Sequence, residues 1–139
     1  MSDPLQALVL RLGVLVLVAA ITLGAWAALL TWSAYRRRRA MRASAVPELA
    51  QGKPTILLFT GTLCSECQTQ KEIIDGLLSE AANGWRLREV HAAREVMVAR
   101  RFGVETVPAT VVIDAGGRPR AVNYGLIDAG SLREQLAAG

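Results

Sequence analysis

From Leu12 to Tyr35 the chain carries 24 consecutive residues without a charge. Nothing else in the sequence limits its architecture as strongly. A helix rises about 1.5 Å per residue, so this run reaches roughly 36 Å, enough to cross a hydrocarbon layer of about 30 Å with some tilt. The chain has 139 residues, and no second run of this kind exists. A multi-span transporter and a large multi-domain enzyme are therefore excluded. Two cysteines are too few for a disulfide-stapled mini-protein. The expectation is a short N-terminal tail (1–11), a transmembrane helix (12–35), a basic flank and linker (36–53) and one small globular domain (54–139).

The formal charge of +4 is concentrated beside the apolar run. Residues 1–42 hold six Arg and one Asp, whereas residues 43–139 hold ten Lys/Arg against eleven Asp/Glu. A phosphate-binding surface needs its cations spread over the folded domain, so nucleic acid is excluded as a partner. Arg36, Arg37, Arg38, Arg39 and Arg42 instead flank the run on its C-terminal side, with Trp32 and Tyr35 placed as an interfacial aromatic belt. The positive-inside rule then puts the N-terminus outside and the domain in the cytoplasm. The alternative, a domain on the outer (periplasmic or extracellular) face, stays open. So does cleavage after Ala25-Trp26-Ala27, although the sequence continues apolar beyond that site. Ala20, Gly24 and Ala28 form a small-residue stripe through which two helices could pair as a homodimer, and such residues are also common in membrane helices generally.

Beyond the linker, hydrophobic period alternates between strand and helix. Residues 54–60 (PTILLFT) read as a strand buried on both faces. Gln68 to about Ala82 reads as a helix with Ile73, Ile74, Leu77, Leu78 and Ala81 inward, closed by Asn83-Gly84. Residues 85–90 alternate as a half-buried strand. Arg94–Phe102 reads as a short helix with Val96, Ala99 and Phe102 inward. Thr106–Asp114 and Arg118–Tyr124 read as strands joined by an Ala115-Gly116-Gly117 hairpin turn. Ser131 is placed to cap a last helix, with Glu134 completing a capping box. The order β-α-β-α-β-β-α implies an α/β domain with a parallel pair and an antiparallel edge.

Cys64-Ser65-Glu66-Cys67 falls at the junction of the first strand and the first helix. A thiolate there faces the free N–H groups and the positive end of the helix dipole, which favour the anion. That anion is the nucleophile of thiol–disulfide exchange, and a second sulfur one turn later can resolve a mixed disulfide. This assigns Cys64 as attacker and Cys67 as resolver. A zinc site needs about four ligands, and with one His and two Cys it would have to recruit carboxylates. Two inert buried cysteines are the other alternative.

With Thr106-Val107-Pro108 and Gly125 downstream, the Cys-x-x-Cys motif makes residues 50–139 resemble the thioredoxin fold. Phe102-Gly103-Val104, Asn123-Tyr124-Gly125, Leu132 and Leu136 fit the same pattern. The resemblance implies a mixed sheet flanked by helices and a cis bond before Pro108. It also implies a role for Val107 and Pro108 in holding substrate backbone. The implied activity is a membrane-tethered thiol–disulfide oxidoreductase with no cofactor beyond the Cys64–Cys67 disulfide. Its partners would be protein thiols or disulfides, an electron donor and membrane lipid. The alternative is a redox-inactive binding or assembly module of a membrane complex.

The departures from the thioredoxin pattern are specific. Leu63 stands where a Trp usually precedes the first cysteine, Ser65-Glu66 where Gly-Pro is usual, and Glu72 at the helix proline. Leu58 replaces the buried aspartate that would accept the Cys67 proton, and little room precedes Lys53 for the leading strand and helix. Glu66 and Glu89 are the carboxylates placed to modulate the thiols: Glu66 by disfavouring a nearby thiolate, Glu89 as a substitute base on the neighbouring strand. The alternative for each is a solvated surface residue. His91 is expected on the surface past that strand, with no role.

Overall fold

A computed structural model of the chain describes residues 4–80 and 84–138. The expected helix residues Ala81 and Ala82 and the Asn83 of the closing turn lie outside the described residues, as do the first three residues of the tail. The chain divides into two units, Met1–Tyr35 and Arg36–Gly139.

The described residues of the first unit lie within helix α1 (Pro4–Met41), which begins before the expected span and continues past it. It is long and apolar enough to cross a membrane. Its few hydroxyls bond within the helix: Thr22 donates to the Val18 and Ala19 carbonyls, Thr31 to Ala28 and Ser33 to Leu30. This arrangement leaves none of these Thr and Ser hydroxyls dependent on water.

The second unit is built on a four-stranded sheet of order β2-β1-β3-β4. Strand β1 (Thr55–Thr60) pairs parallel with β2 (Arg86–His91) and antiparallel with β3 (Ala109–Ile113), which pairs antiparallel with β4 (Pro119–Tyr124). A continuous apolar run is what a central strand needs, because both faces are covered. Ile56 and Leu58 face Ile74 and Leu77 of helix α3 (Ser65–Glu80) and Leu132 of helix α5 (Ala129–Ala137). Leu57 and Phe59 face the other core, with Ala99 of helix α4 (Val96–Arg101) and Phe102. The Phe59 and Phe102 rings meet edge to face, with centroids 6.0 Å apart.

The observed boundaries correct several expectations. Residues 36–53 are not a free linker. Ala40, Val46, Leu49 and Ala50 are buried in the second core, and Pro47–Ala50 forms the short helix α2. Four apolar positions are too few to show a period, which is why the sequence pattern hid them. Val46 donates its N–H to the Gly117 carbonyl at 2.9 Å, and a Cβ on Gly117 would collide with the Val46 backbone. The hairpin glycine at φ +79° thus serves a close approach as well as a turn. Strand β3 starts only at Ala109, because Pro108 offers no N–H to the ladder. Helix α4 is shorter than expected, because the Arg94 and Glu95 N–H groups are spent on the His91 carbonyl in a turn. Val96, expected inward, is consequently 41% exposed. His91 is not beyond its strand but is the half-buried last residue of β2.

The cap of α5 is Asp128, three residues before the expected Ser131. Its carboxylate accepts the Ser131 backbone N–H at 2.9 Å and the Ser131 hydroxyl at 2.7 Å. The sequence pair therefore works in reverse: Ser131 is the donor and the carboxylate is the cap. These bonds hold the Asp128 carboxyl below its ordinary value. A depressed carboxyl stabilises the fold above the ordinary carboxylate range and loses that contribution as pH falls through its folded value. Asp128→Asn keeps a capping oxygen that does not titrate. The melting temperature of the native chain should exceed that of the variant near neutrality, and the gap should close as the pH is lowered toward 3. A gap that stays constant or widens on acidification would contradict the assignment.

Candidate functional site

Strand β1 ends at Thr60, and four residues carry the chain from the sheet to α3. Gly61 opens this turn, and Leu63 completes it at φ +54° with its side chain fully exposed. Cys64 follows, half-buried, immediately before α3, and Cys67 lies one turn inside the helix, 4% exposed. The two form a disulfide with their Cα atoms 5.3 Å apart. The Cys67 N–H points at the Cys64 sulfur at 3.2 Å. This free donor of the first helical turn is the local interaction that would favour a thiolate at Cys64. Cys64 is thus the more exposed cysteine of the two.

The segment 104–108 closes over the same turn. Its Val107–Pro108 bond is cis. A Cβ on Gly61 would sit 3.0 Å from Val107 Cγ2, so glycine is what allows the two loops to meet. Gly125, at φ +85°, donates its N–H to the Pro108 carbonyl at 2.9 Å and holds the segment from behind. Val107 and Pro108 are thus brought to the cysteine turn from positions 40 and 41 residues downstream of Cys67.

Two side chains that sequence reading passed over shape this region. Gln70 is fully buried on the α3 stripe that includes Cys67, Ile74 and Leu77. Its amide nitrogen donates to the Ile127 carbonyl at 3.2 Å, and its carbonyl accepts the Ile127 N–H at 2.7 Å. Lys71 lines a groove of about 520 Å³ together with Cys64, Cys67 and Glu89. Its ammonium lies 2.9 Å from Asp75 and 3.4 Å from Glu89. Hydrogen bonding to Asp75 above all, then to Glu89, raises the Lys71 ammonium above its ordinary value. The signal for both residues was positional: Gln70 and Lys71 lie three and four residues after Cys67, on the face the cysteine occupies.

The expected modulators separate. Glu89 pairs in register with Leu58 and reaches the groove, but as the partner of Lys71. Glu66 is exposed in the first turn of α3 and is not part of the groove lining. His91 places Nε2 3.4 Å from the Thr62 hydroxyl, and its Nδ1 is buried without a partner. Among the described residues, no group of three or more His, Cys, Asp or Glu side chains could hold a metal ion.

A family model described as TraF, F plasmid transfer operon protein, matches residues 30–137. The chain belongs to the TraF family. Among solved structures, it is similar to thioredoxin-2 of the malaria parasite, a component of that organism's protein secretion machinery. The identity is 18% and the TM-score 0.56, over 63% of this chain and 84% of that one. It is also similar to a second malarial protein, at 19% identity and a TM-score of 0.55, over 62% of this chain and 96% of that one. At such identities the likeness concerns the fold, which is thioredoxin-like. Among curated proteins none matches.

Around the motif, this TraF-family chain carries the fully buried Leu58 on β1 and a Lys71–Glu89 ion pair at the groove. A cation favours a nearby thiolate and a carboxylate disfavours it. Both groups are partly exposed, so each effect should stay under about 1 kcal/mol, or roughly fivefold in rate. Lys71→Gln should slow alkylation of reduced Cys64 at neutral pH by roughly two- to fivefold. Glu89→Gln should accelerate it. Equal rates in all three proteins, or the opposite order, would remove Lys71 and Glu89 from the electrostatics of the site.

Proposed function

We propose that this chain is a membrane-tethered thiol–disulfide oxidoreductase acting on protein substrates through Cys64 and Cys67. The observation that carries the reading is the disulfide at the N-terminus of α3 with the cis Val107–Pro108 segment packed against its turn. An incidental pair of cysteines has no need of that second loop.

In the reducing direction the dithiol form acts. The Cys64 thiolate attacks one sulfur of a substrate disulfide, forming a mixed disulfide and releasing the other substrate sulfur as a thiolate. The backbone of Val107 and Pro108 holds the substrate beside Cys64 during this step. Cys67, deprotonated, then attacks the Cys64 sulfur. The Cys64–substrate bond breaks, the second substrate thiolate leaves, and the Cys64–Cys67 disulfide forms. Two electrons pass to the substrate, and the two protons of the dithiol end on its thiols. A dithiol electron donor restores the starting state by the same exchange in reverse. With Leu58 in place of a carboxylate, Glu89 is the carboxylate of the groove that would accept the Cys67 proton, and Lys71 is its ion-pair partner.

The apolar part of α1 serves as an uncleaved anchor with the domain in the cytoplasm, because Arg36–Arg39 and Arg42 follow it directly. A cytoplasmic thiol pool is reducing, so the protein acts as a reductase there.

The full chain bearing Cys67→Ser should accumulate a mixed disulfide with protein substrates through Cys64, and Cys64→Ser should accumulate none. In intact cells the Cys67→Ser variant should escape an impermeant thiol reagent. If neither cysteine variant differs from the native chain in exchange or trapping, the redox-inactive binding module is the correct reading. Labelling of Cys64 without permeabilisation would put the domain on the outer face.

A further inference from the structure

Arg36 is the first residue after the apolar run, and the positive-inside rule would leave it to the membrane surface. Its side chain is instead drawn into the folded unit, 21% exposed. Nη1 lies 3.0 Å from Glu105 Oε2, and the guanidinium carbon sits 4.7 Å over the centroid of the Tyr124 ring. Nε is buried without a partner, so the group is committed to these two residues. Both flank the substrate loop in the fold. Glu105 stands two residues before Val107. Tyr124 immediately precedes Gly125, whose N–H donates to the Pro108 carbonyl at 2.9 Å.

The Tyr124 ring is itself fixed. Its hydroxyl donates to the Phe102 carbonyl at 3.0 Å, and Gly103, at φ +64°, leaves it room: a Cβ there would lie 3.2 Å from the hydroxyl oxygen. One guanidinium therefore grips the chain on both sides of Val107–Pro108, by an ion pair before it and by a cation–ring stack behind it. A planar fork that can stack and donate at once suits this place better than an ammonium.

We infer that Arg36 is the positioning residue of the Val107–Pro108 loop, setting how well the protein binds a substrate polypeptide and leaving the chemistry of the cysteines unchanged. This rests on the oxidoreductase reading above for its functional consequence, though the clamp itself can be tested without it. Arg36 is not among the residues lining the cysteine groove. Its loss should act on substrate affinity alone.

The test uses the full chain in detergent micelles, as native protein, Arg36→Ala and Arg36→Lys. Amide hydrogen exchange is followed at Gly125, with the amides of β1 as the measure of global opening. Turnover is measured with insulin as the disulfide substrate and dithiothreitol as the dithiol electron donor, and Cys64 reactivity by alkylation of the reduced protein. In Arg36→Ala, exchange at Gly125 should rise several-fold more than exchange in β1. The KM for insulin should increase roughly three- to tenfold, while kcat and the Cys64 alkylation rate hold. Arg36→Lys, which retains the charge, should fall between the two. Unchanged exchange at Gly125, or a rise matched throughout β1, overturns the clamp. A fall in Cys64 alkylation equal to the loss in turnover overturns the separation of binding from chemistry. A native chain that turns over no insulin overturns the oxidoreductase reading, and the Gly125 comparison still decides the clamp.

Discussion

The burial of Thr55–Phe59 on both faces is the constraint from which the rest of the second unit follows. A strand covered on both sides must lie inside the sheet, and β1 accordingly has β2 on one edge and β3 on the other. Because β1 pairs parallel with β2, the two strands end on the same side. The cysteine turn begins where β1 ends. The position of the cysteine turn is thus a consequence of a central strand whose apolar run from Ile56 to Phe59 is fully buried, and Leu58 is part of that run. At the groove the charges are those of the partly exposed pair Lys71 and Glu89.

Around this strand the site is held by polar contacts that reach far along the chain. Gln70 ties α3 to Ile127 through both atoms of its amide. Since a buried amide left unpaired costs about 1–3 kcal/mol, this reciprocal bond fixes the helix that carries Cys67 against the segment following β4. Gly125 ties the same segment to Pro108. The residues between Tyr124 and Ile127 therefore link the two loops that face each other at the disulfide. Arg36 adds a third connection to this frame from the other end of the sequence.

Long apolar periods made most of the fold legible. The central strand, the α3 stripe of Ile74 and Leu77 and the paired strands around Gly116-Gly117 could be read because burial imposes a repeat on them. The motif at Cys64 and Cys67 was legible because its place between strand and helix gives the spacing a chemical meaning. What could not be read depended on single residues meeting across the fold. Val46, Leu49 and Ala50 are core residues in a stretch too short to show a period. Asp128 caps α5 because Ser131 turned out to donate, and a pairwise pattern does not say which partner supplies the oxygen. Lys71 and Gln70 looked like ordinary helix residues, and only tertiary contacts distinguish them. Arg36 looked like one arginine of a basic flank, although the Tyr124 ring and Glu105 single it out.

All of these features converge on one claim: that Cys64 and Cys67 form a reversible two-electron couple accessible to other thiols. The direct measurement is a redox titration of the full chain in detergent micelles against defined ratios of reduced and oxidised dithiothreitol or glutathione. The fraction of free Cys64 and Cys67 is read by alkylation and mass. The account predicts that both thiols appear together in a single reversible two-electron transition, and that Cys64 is modified first when the reduced protein is alkylated with limiting reagent. A pair that stays oxidised or stays reduced across the whole range, or thiols that appear independently of each other, would contradict it.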